Sequence, residues 1–176
     1  VEQSLHKGRL DWTRRFVEDS RTLYDCTTCT DLGAGDGGFL SLITSGRPGH
    51  KQFDAWGYDL QPSNVEVAAT QRHVTVSLLD FVAEPQRVVW GECVVMTEVL
   101  EHLVDPVATL RAAASSPMTR VLVASSPFTE NAENHYEFHL WAWDVHGYEE
   151  LLAAGGWRLV GRSLVDMFQV VMAVKA

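Results

Sequence analysis

The chain has 176 residues, 46% of them hydrophobic, with six Trp and seven Phe; that is one domain's length and enough apolar surface for one substantial core. Lys and Arg number 14 against 23 Asp and Glu, a net charge of −9, which repels nucleic-acid phosphates unless basic residues gather in one patch. No apolar run approaches the roughly 20 residues needed to span a bilayer, and Val1-Glu2-Gln3-Ser4-Leu5-His6-Lys7 lacks the apolar centre of a secretory signal, so cytoplasm is the expected compartment.

Short β-like runs alternate with helix-like segments, the signature of a parallel sheet with crossover helices. A single domain is expected over residues 1–176. The region around Leu10 to Leu23 predicts an amphipathic helix through Trp12, Phe16, Val17 and Leu23. It also holds the densest basic group, Arg9, Arg14, Arg15 and Arg21. A strand is expected near Cys26–Leu32, then a glycine-rich turn and a short helix around Phe39–Thr44, ended by Gly46. The next strand is near Ala55–Leu60. Pro62 fits the first turn of a helix reaching about Thr70. Further strands are expected at Val74–Leu79 and Cys93–Thr97. Asp105-Pro106 reads as an N-cap with Pro at the first helical position, and Val107, Leu110 and Ala114 give that helix its inner face. A strand at Arg120–Ala124 leads into a long loop, 125–143. Asp144 caps a helix facing inward through Val145, Tyr148, Leu151 and Leu152, and Gly155-Gly156 ends it. The last two strands, near Arg158–Ser163 and Phe168–Lys175, are too close for a parallel crossover and must form an antiparallel hairpin. The fold class is therefore α/β, a Rossmann-like seven-stranded sheet with helices on both faces and the last strand antiparallel.

Three cysteines are too few for a disulfide framework. Cys26-Thr27-Thr28-Cys29 is formally a CxxC, but it lacks a second pair for zinc and runs into a strand, not a helix. Positions three apart in a strand face opposite sides, so small buried hydrophobes are the expected role.

Asp31-Leu32-Gly33-Ala34-Gly35-Asp36-Gly37-Gly38 sits between a strand and a helix, where glycines let the backbone turn sharply and a ligand approach closely. Gly33, Gly35 and Gly38 also satisfy the GxGxxG spacing of dinucleotide-binding proteins. Asp59 ends the second strand and Asp80 the third. Ligands in open α/β sheets bind outside the carboxyl ends of the strands, so three acidic residues there ring one adenosine-bearing ligand. A hydride-transfer enzyme would need a separate substrate-binding segment, and the sheet uses up this chain.

On these residues the chain resembles the class I S-adenosylmethionine-dependent methyltransferases over nearly its full length. The resemblance implies that Asp31, Gly33, Ala34 and Gly35 hold the methionine end of the cofactor. It places Asp59 at the ribose diol, Leu60 against adenine, Asp80 and Phe81 at the adenine amino edge, and Thr97 at the strand end beside the cofactor.

Thr97-Glu98-Val99-Leu100-Glu101-His102-Leu103 follows the fourth strand. If helical, Glu98, Glu101 and His102 share one face, where methyl transfer needs an aligned nucleophile and often a base. The segment, with Asp105-Pro106 after it, is similar to that of ubiquinone-biosynthesis-type O-methyltransferases. It is also similar in part to metal-dependent methyltransferases of small-RNA 3′-terminal 2′-hydroxyls. That second resemblance implies a divalent cation, Mn or Mg, on Glu98, Glu101, His102 and His139 (or His135). The length of the chain, Ser126-Pro127-Phe128 without a following Asn, and the acidic charge count against RNA. The bland alternative is a helix-start Glu pair with a capping His.

Long loops in compact domains are usually functional or disordered, and the aromatic content of 125–143 argues against disorder. His135, Tyr136, His139, Trp141 and Trp143 offer walls for a substrate pocket, with His135 or His139 as a general base; alternatively the two Trp anchor the loop. The expected function is methyl transfer from S-adenosylmethionine to an oxygen or nitrogen of a small-molecule acceptor, with the first segment and residues 125–143 as lids. A metal-dependent RNA 2′-O-methyltransferase and a non-catalytic cofactor-binding module are the alternatives.

Overall fold

The structure is a computed structural model that describes residues 2–45, 52–131 and 133–176; the expected helix stop at Gly46 lies outside them. Seven strands form one sheet in the order β3-β2-β1-β4-β5-β7-β6. They are β1 (Thr28–Leu32), β2 (Asp54–Asp59), β3 (Val76–Leu78), β4 (Cys93–Thr97), β5 (Val121–Pro127), β6 (Trp157–Val165) and β7 (Phe168–Lys175). Neighbours from β3 to β5 run parallel, and β7 runs antiparallel to β5 and also to β6, the latter as the short 166–167 connection requires.

The helices are α1 (Glu2–Tyr24), α2 (Gly38–Thr44), α3 (Pro62–Ala68), α4 (Pro106–Ser115) and α5 (Val145–Ala154). The central strands are apolar on both faces, since helices cover both. On one side Phe16 and Val17 of α1 and Leu40 of α2 pack with Val95, Val123 and Val170. On the other, Leu110 of α4 and Tyr148 and Leu152 of α5 pack with Met96, Leu122 and Val171. Asp105 and Asp144 cap α4 and α5, accepting from Ala108 N–H and from His146 and Gly147 N–H, as their sequence positions foretold.

Several expectations need correction. α1 begins at Glu2 instead of near Leu10. β5 runs on to Pro127, because Ser125, Ser126 and Pro127 find antiparallel partners in Val170, Gln169 and Phe168. The loop is thereby shortened to 128–143. Cys26 precedes β1 instead of lying within it, so it joins Cys29 and Cys93 in one buried cluster. Burial, with Cys93 nearby, pushes the Cys26 thiol up to about 12, the mark of an inert core thiol. The basic group on α1 forms no patch. Arg14 meets Glu18, Arg15 stacks on Trp12 and Arg21 on Phe53, and Arg9 turns toward the strand ends.

Candidate active site

The turn after β1 is fixed by backbone geometry. Gly33 has φ 73, and a Cβ there would come within 2.5 Å of Val99 Cγ2, so only glycine fits. Gly33 and Ala34 N–H both donate to the Tyr58 carbonyl, at 2.9 and 3.0 Å, tying the turn to the end of β2. Gly57 of β2 lacks a side chain where Ala34 lies against it.

Asp31 is buried, and its Oδ1 has no hydrogen-bond partner. Burial, opposed by Arg9 and aided by Asp59, pushes its carboxyl up to about 8. Asp59 Oδ2 accepts from Gly35 N–H at 2.8 Å, and Oδ1 from Gln61 N–H at 2.8 Å and Asn64 Nδ2 at 3.1 Å. Leu60 stays exposed beside it. Asp80 Oδ1 accepts from Val82 and Ala83 N–H. Phe81 is buried in the core with Leu79 and Val88. Thr97 pairs with Ser125 at the end of β4. The three acidic residues do lie at successive strand ends, as expected.

The segment after β4 is not an α-helix, so the shared face that a helix would give does not form. Glu98 adopts a left-handed conformation, φ 55, and only Leu100–His102 form a short 3-10 turn. The cause is a clamp to the neighbouring strand. Glu98 N–H donates to the Ser125 carbonyl at 3.2 Å, and Ser125 Oγ donates to Glu98 Oε1 at 2.7 Å. Glu98 is outside the close group that Glu101 and His102 form with His139, though its charge acts on Glu101.

Glu101, His102 and His139 do converge. One ligand atom from each lies within 4.8 Å of the others, and the two imidazoles meet edge to face with centroids 4.7 Å apart. Glu101 is fully buried, and neither carboxylate oxygen has a partner. Burial and then Glu98 hold its carboxyl well above the usual range. His102 Nδ1 faces the Phe138 carbonyl at 3.1 Å. His139 Nδ1 faces Glu130 Oε2 at 2.6 Å. Burial, together with His139, lowers the pKa of His102, which favours its neutral form. His135 does not join this group. It is exposed, with Nδ1 at 2.8 Å from the Tyr136 carbonyl. It shares with His139, Leu140, Trp141 and Ala142 a hollow of about 320 Å³. Trp141 and Trp143 stack at 6.0 Å, and Trp141 Nε1 donates to the Leu103 carbonyl, so they anchor the loop as well as line hollows.

A family model described as a methyltransferase domain matches residues 11–169. The chain belongs to that family. It is a class I S-adenosylmethionine-dependent methyltransferase. Among curated proteins none matches it. Solved structures of similar fold include the small RNA methyltransferase HEN1, at 16% identity and TM-score 0.78, with 99% of this chain and 26% of that one covered. The methyltransferase domain of bacterial CtHen1 is similar at 17% identity and TM-score 0.71, covering 97% and 99%. So is magnesium protoporphyrin IX methyltransferase from Synechocystis PCC 6803 with bound S-adenosylhomocysteine, at 16% identity and TM-score 0.71, covering 99% and 86%.

The turn of this methyltransferase fits the cofactor. A Cβ placed on Gly35 would meet nothing within 4 Å, so open space lies over the turn, and Asp31 Oδ1 is a buried acceptor without a donor. Glu101, His102 and His139 likewise fit a divalent cation, since one carboxylate and two imidazoles suit a first-row metal.

Two further residues border the candidate site. Arg9 on α1 has a buried Nε without a partner, and its charge opposes the raised carboxyls of Asp31, Glu98 and Glu101. Its guanidinium also sits 5.5 Å from the centroid of the Phe168 ring. Glu130 holds His139. Arg9 was visible only as one basic residue among four, and nothing in the spacing of Glu130 marked it.

Proposed function

We propose that this methyltransferase transfers the methyl group to a hydroxyl oxygen of a small-molecule acceptor, at a site where Glu101, His102 and His139 hold a divalent cation. One observation carries the reading: a fully buried carboxylate with both oxygens unpartnered stands beside two imidazoles. Such a group is costly unless protonated or matched by a cation. A cation there would polarise a hydroxyl and lower its pKa.

The chain's own residues supply the rest. Asp31, Gly33, Ala34 and Gly35 receive the methionine end of S-adenosylmethionine, and Asp59 the ribose, through the acceptor position remaining on Oδ2. Asp80, with Leu60, flanks the adenine side, and Thr97 closes the end of β4. Arg9 offers α1 a charged contact over the same strand ends. The hollow beside His139 admits the acceptor, with His135 at its rim and Trp141 as one wall.

A second reading, methylation of an RNA 3′-terminal 2′-hydroxyl, is favoured by the same donor set and by the likeness to the small RNA methyltransferase. The net charge of −9 counts against it, because RNA binding draws on free cations. The test uses radiolabelled S-adenosylmethionine with extracted metabolites and, separately, with small RNA, each with and without EDTA and Mn²⁺ add-back. Label on a metabolite hydroxyl, lost in EDTA and restored by Mn²⁺, is the expected result. Label only on RNA that then resists periodate would favour the second reading. EDTA-insensitive transfer would sink the cation.

A further inference from the structure

We propose that Glu130 is a positioning residue for methyl transfer, setting the tautomer and ring orientation of His139. The inference rests on the cation site above, but its first test does not need a cation. Glu130 Oε2 lies 2.6 Å from His139 Nδ1, and the two side chains are only 9% and 8% exposed. An ionised carboxylate only accepts hydrogen bonds, so Nδ1 carries the proton and the lone pair falls on Nε2. His102 is set the same way, since a carbonyl also only accepts and Phe138 O faces its Nδ1. Both imidazoles of the cluster therefore leave Nε2 as the remaining donor atom. A carboxylate behind a ligating histidine fixes the ring's tautomer and orientation.

Glu130 has a second contact, from Tyr136 N–H to Oε1 at 3.3 Å. It thus spans the loop at both ends of the segment that carries His139. His139 N–H in turn donates to the Tyr136 carbonyl at 2.9 Å, and Leu140 N–H to the Glu101 carbonyl at 2.8 Å. The loop delivers His139 to Glu101 through its backbone, while Glu130 alone chooses which ring nitrogen is free. Tautomer control and loop support are separable, because Gln at 130 keeps an acceptor oxygen and removes only the charge.

The first experiment reads imidazole ¹⁵N shifts of the cation-free protein at neutral pH. His139 should be the Nδ1–H tautomer in the unmodified protein and in Glu130→Gln, and should move toward Nε2–H in Glu130→Ala. An unchanged tautomer in Glu130→Ala overturns the proposal. The second measures Mn²⁺ affinity by calorimetry in protein saturated with S-adenosylhomocysteine. Glu130→Ala should bind about 10- to 100-fold more weakly and Glu130→Gln by less, with S-adenosylhomocysteine affinity unchanged in both. Equal Mn²⁺ affinity in all three overturns the role of Glu130 and leaves the cation site standing. Parallel loss of the Trp141–Trp143 near-ultraviolet signal and Mn²⁺ affinity in Glu130→Gln would make Glu130 a loop strut and overturn tautomer control. No Mn²⁺ binding by the unmodified protein would overturn the cation site itself; the tautomer result then decides Glu130 separately.

Discussion

Buried carboxyls set the character of this site, and each makes a different demand. Asp31 holds a proton up to about pH 8 in the folded chain, against about 3.9 when solvated. A folded pKa above the unfolded one contributes stability that is full below the unfolded value. It is lost as pH rises toward the folded value, at up to about 1.4 kcal/mol per pH unit. Asp31→Asn should therefore flatten the fall in melting temperature between about pH 4 and pH 8. The same change should weaken S-adenosylhomocysteine binding about 10-fold or more, the worth of a charge-assisted hydrogen bond. Thermal scans across pH, with calorimetry on the variant, check both. An unaltered slope would show that Asp31 is not the group responsible. The place of Asp31 in the cofactor turn was legible in the sequence; its raised pKa was not. The Arg9 charge that opposes this shift comes from α1, whose contacts with β5 and β7 no local pattern records.

At the scale of elements, the far end of the sheet from the site is tied by one side chain. Glu92, just before β4, accepts from Thr27 N–H and Oγ1 at 2.6 and 2.9 Å, and it pairs with Arg120. It thus joins the starts of β1, β4 and β5. Burial raises its carboxyl, but the Thr27, Arg120 and Thr28 contacts outweigh this and bring it down to about 2. A depressed pKa contributes stability present above the unfolded value, about 4.3, and lost as pH falls toward 2. Glu92→Gln should cost about 2 kcal/mol at neutral pH, lowering the melting temperature by about 4–8 °C. The deficit should vanish near pH 2. A deficit that persists there would mean lost packing instead of lost charge. β4 and β7 were read from the sequence with their observed ends because apolar runs met turn residues sharply. β5 was cut short because Ser125-Ser126-Pro127 looks like loop, and only an antiparallel partner makes it strand. The shared face that a helix would give Glu98, Glu101 and His102 does not form either, because Glu98 is clamped to Ser125.

Across the molecule, two apolar layers hold a sheet whose strand ends gather charge on one rim. The alternation of strands and helices, and the short final connection, made that architecture legible. The glycine turn and the three acidic strand ends made the cofactor side legible as well. The catalytic side was legible only as a set of residue types. Which histidine reaches Glu101 depends on how a 16-residue loop, 128–143, folds back, and on a Glu130–His139 contact that has no periodic signature. The fold itself does not choose the acceptor.

The central claim is that Glu101, His102 and His139 hold a divalent cation beside the cofactor. Its most direct test is calorimetric titration of Mn²⁺ into protein saturated with S-adenosylhomocysteine, run beside Glu101→Gln. One equivalent should bind to the unmodified protein, weakened about 100-fold or more in the variant, with S-adenosylhomocysteine affinity intact in both. Absence of binding, or equal binding by the variant, would contradict it.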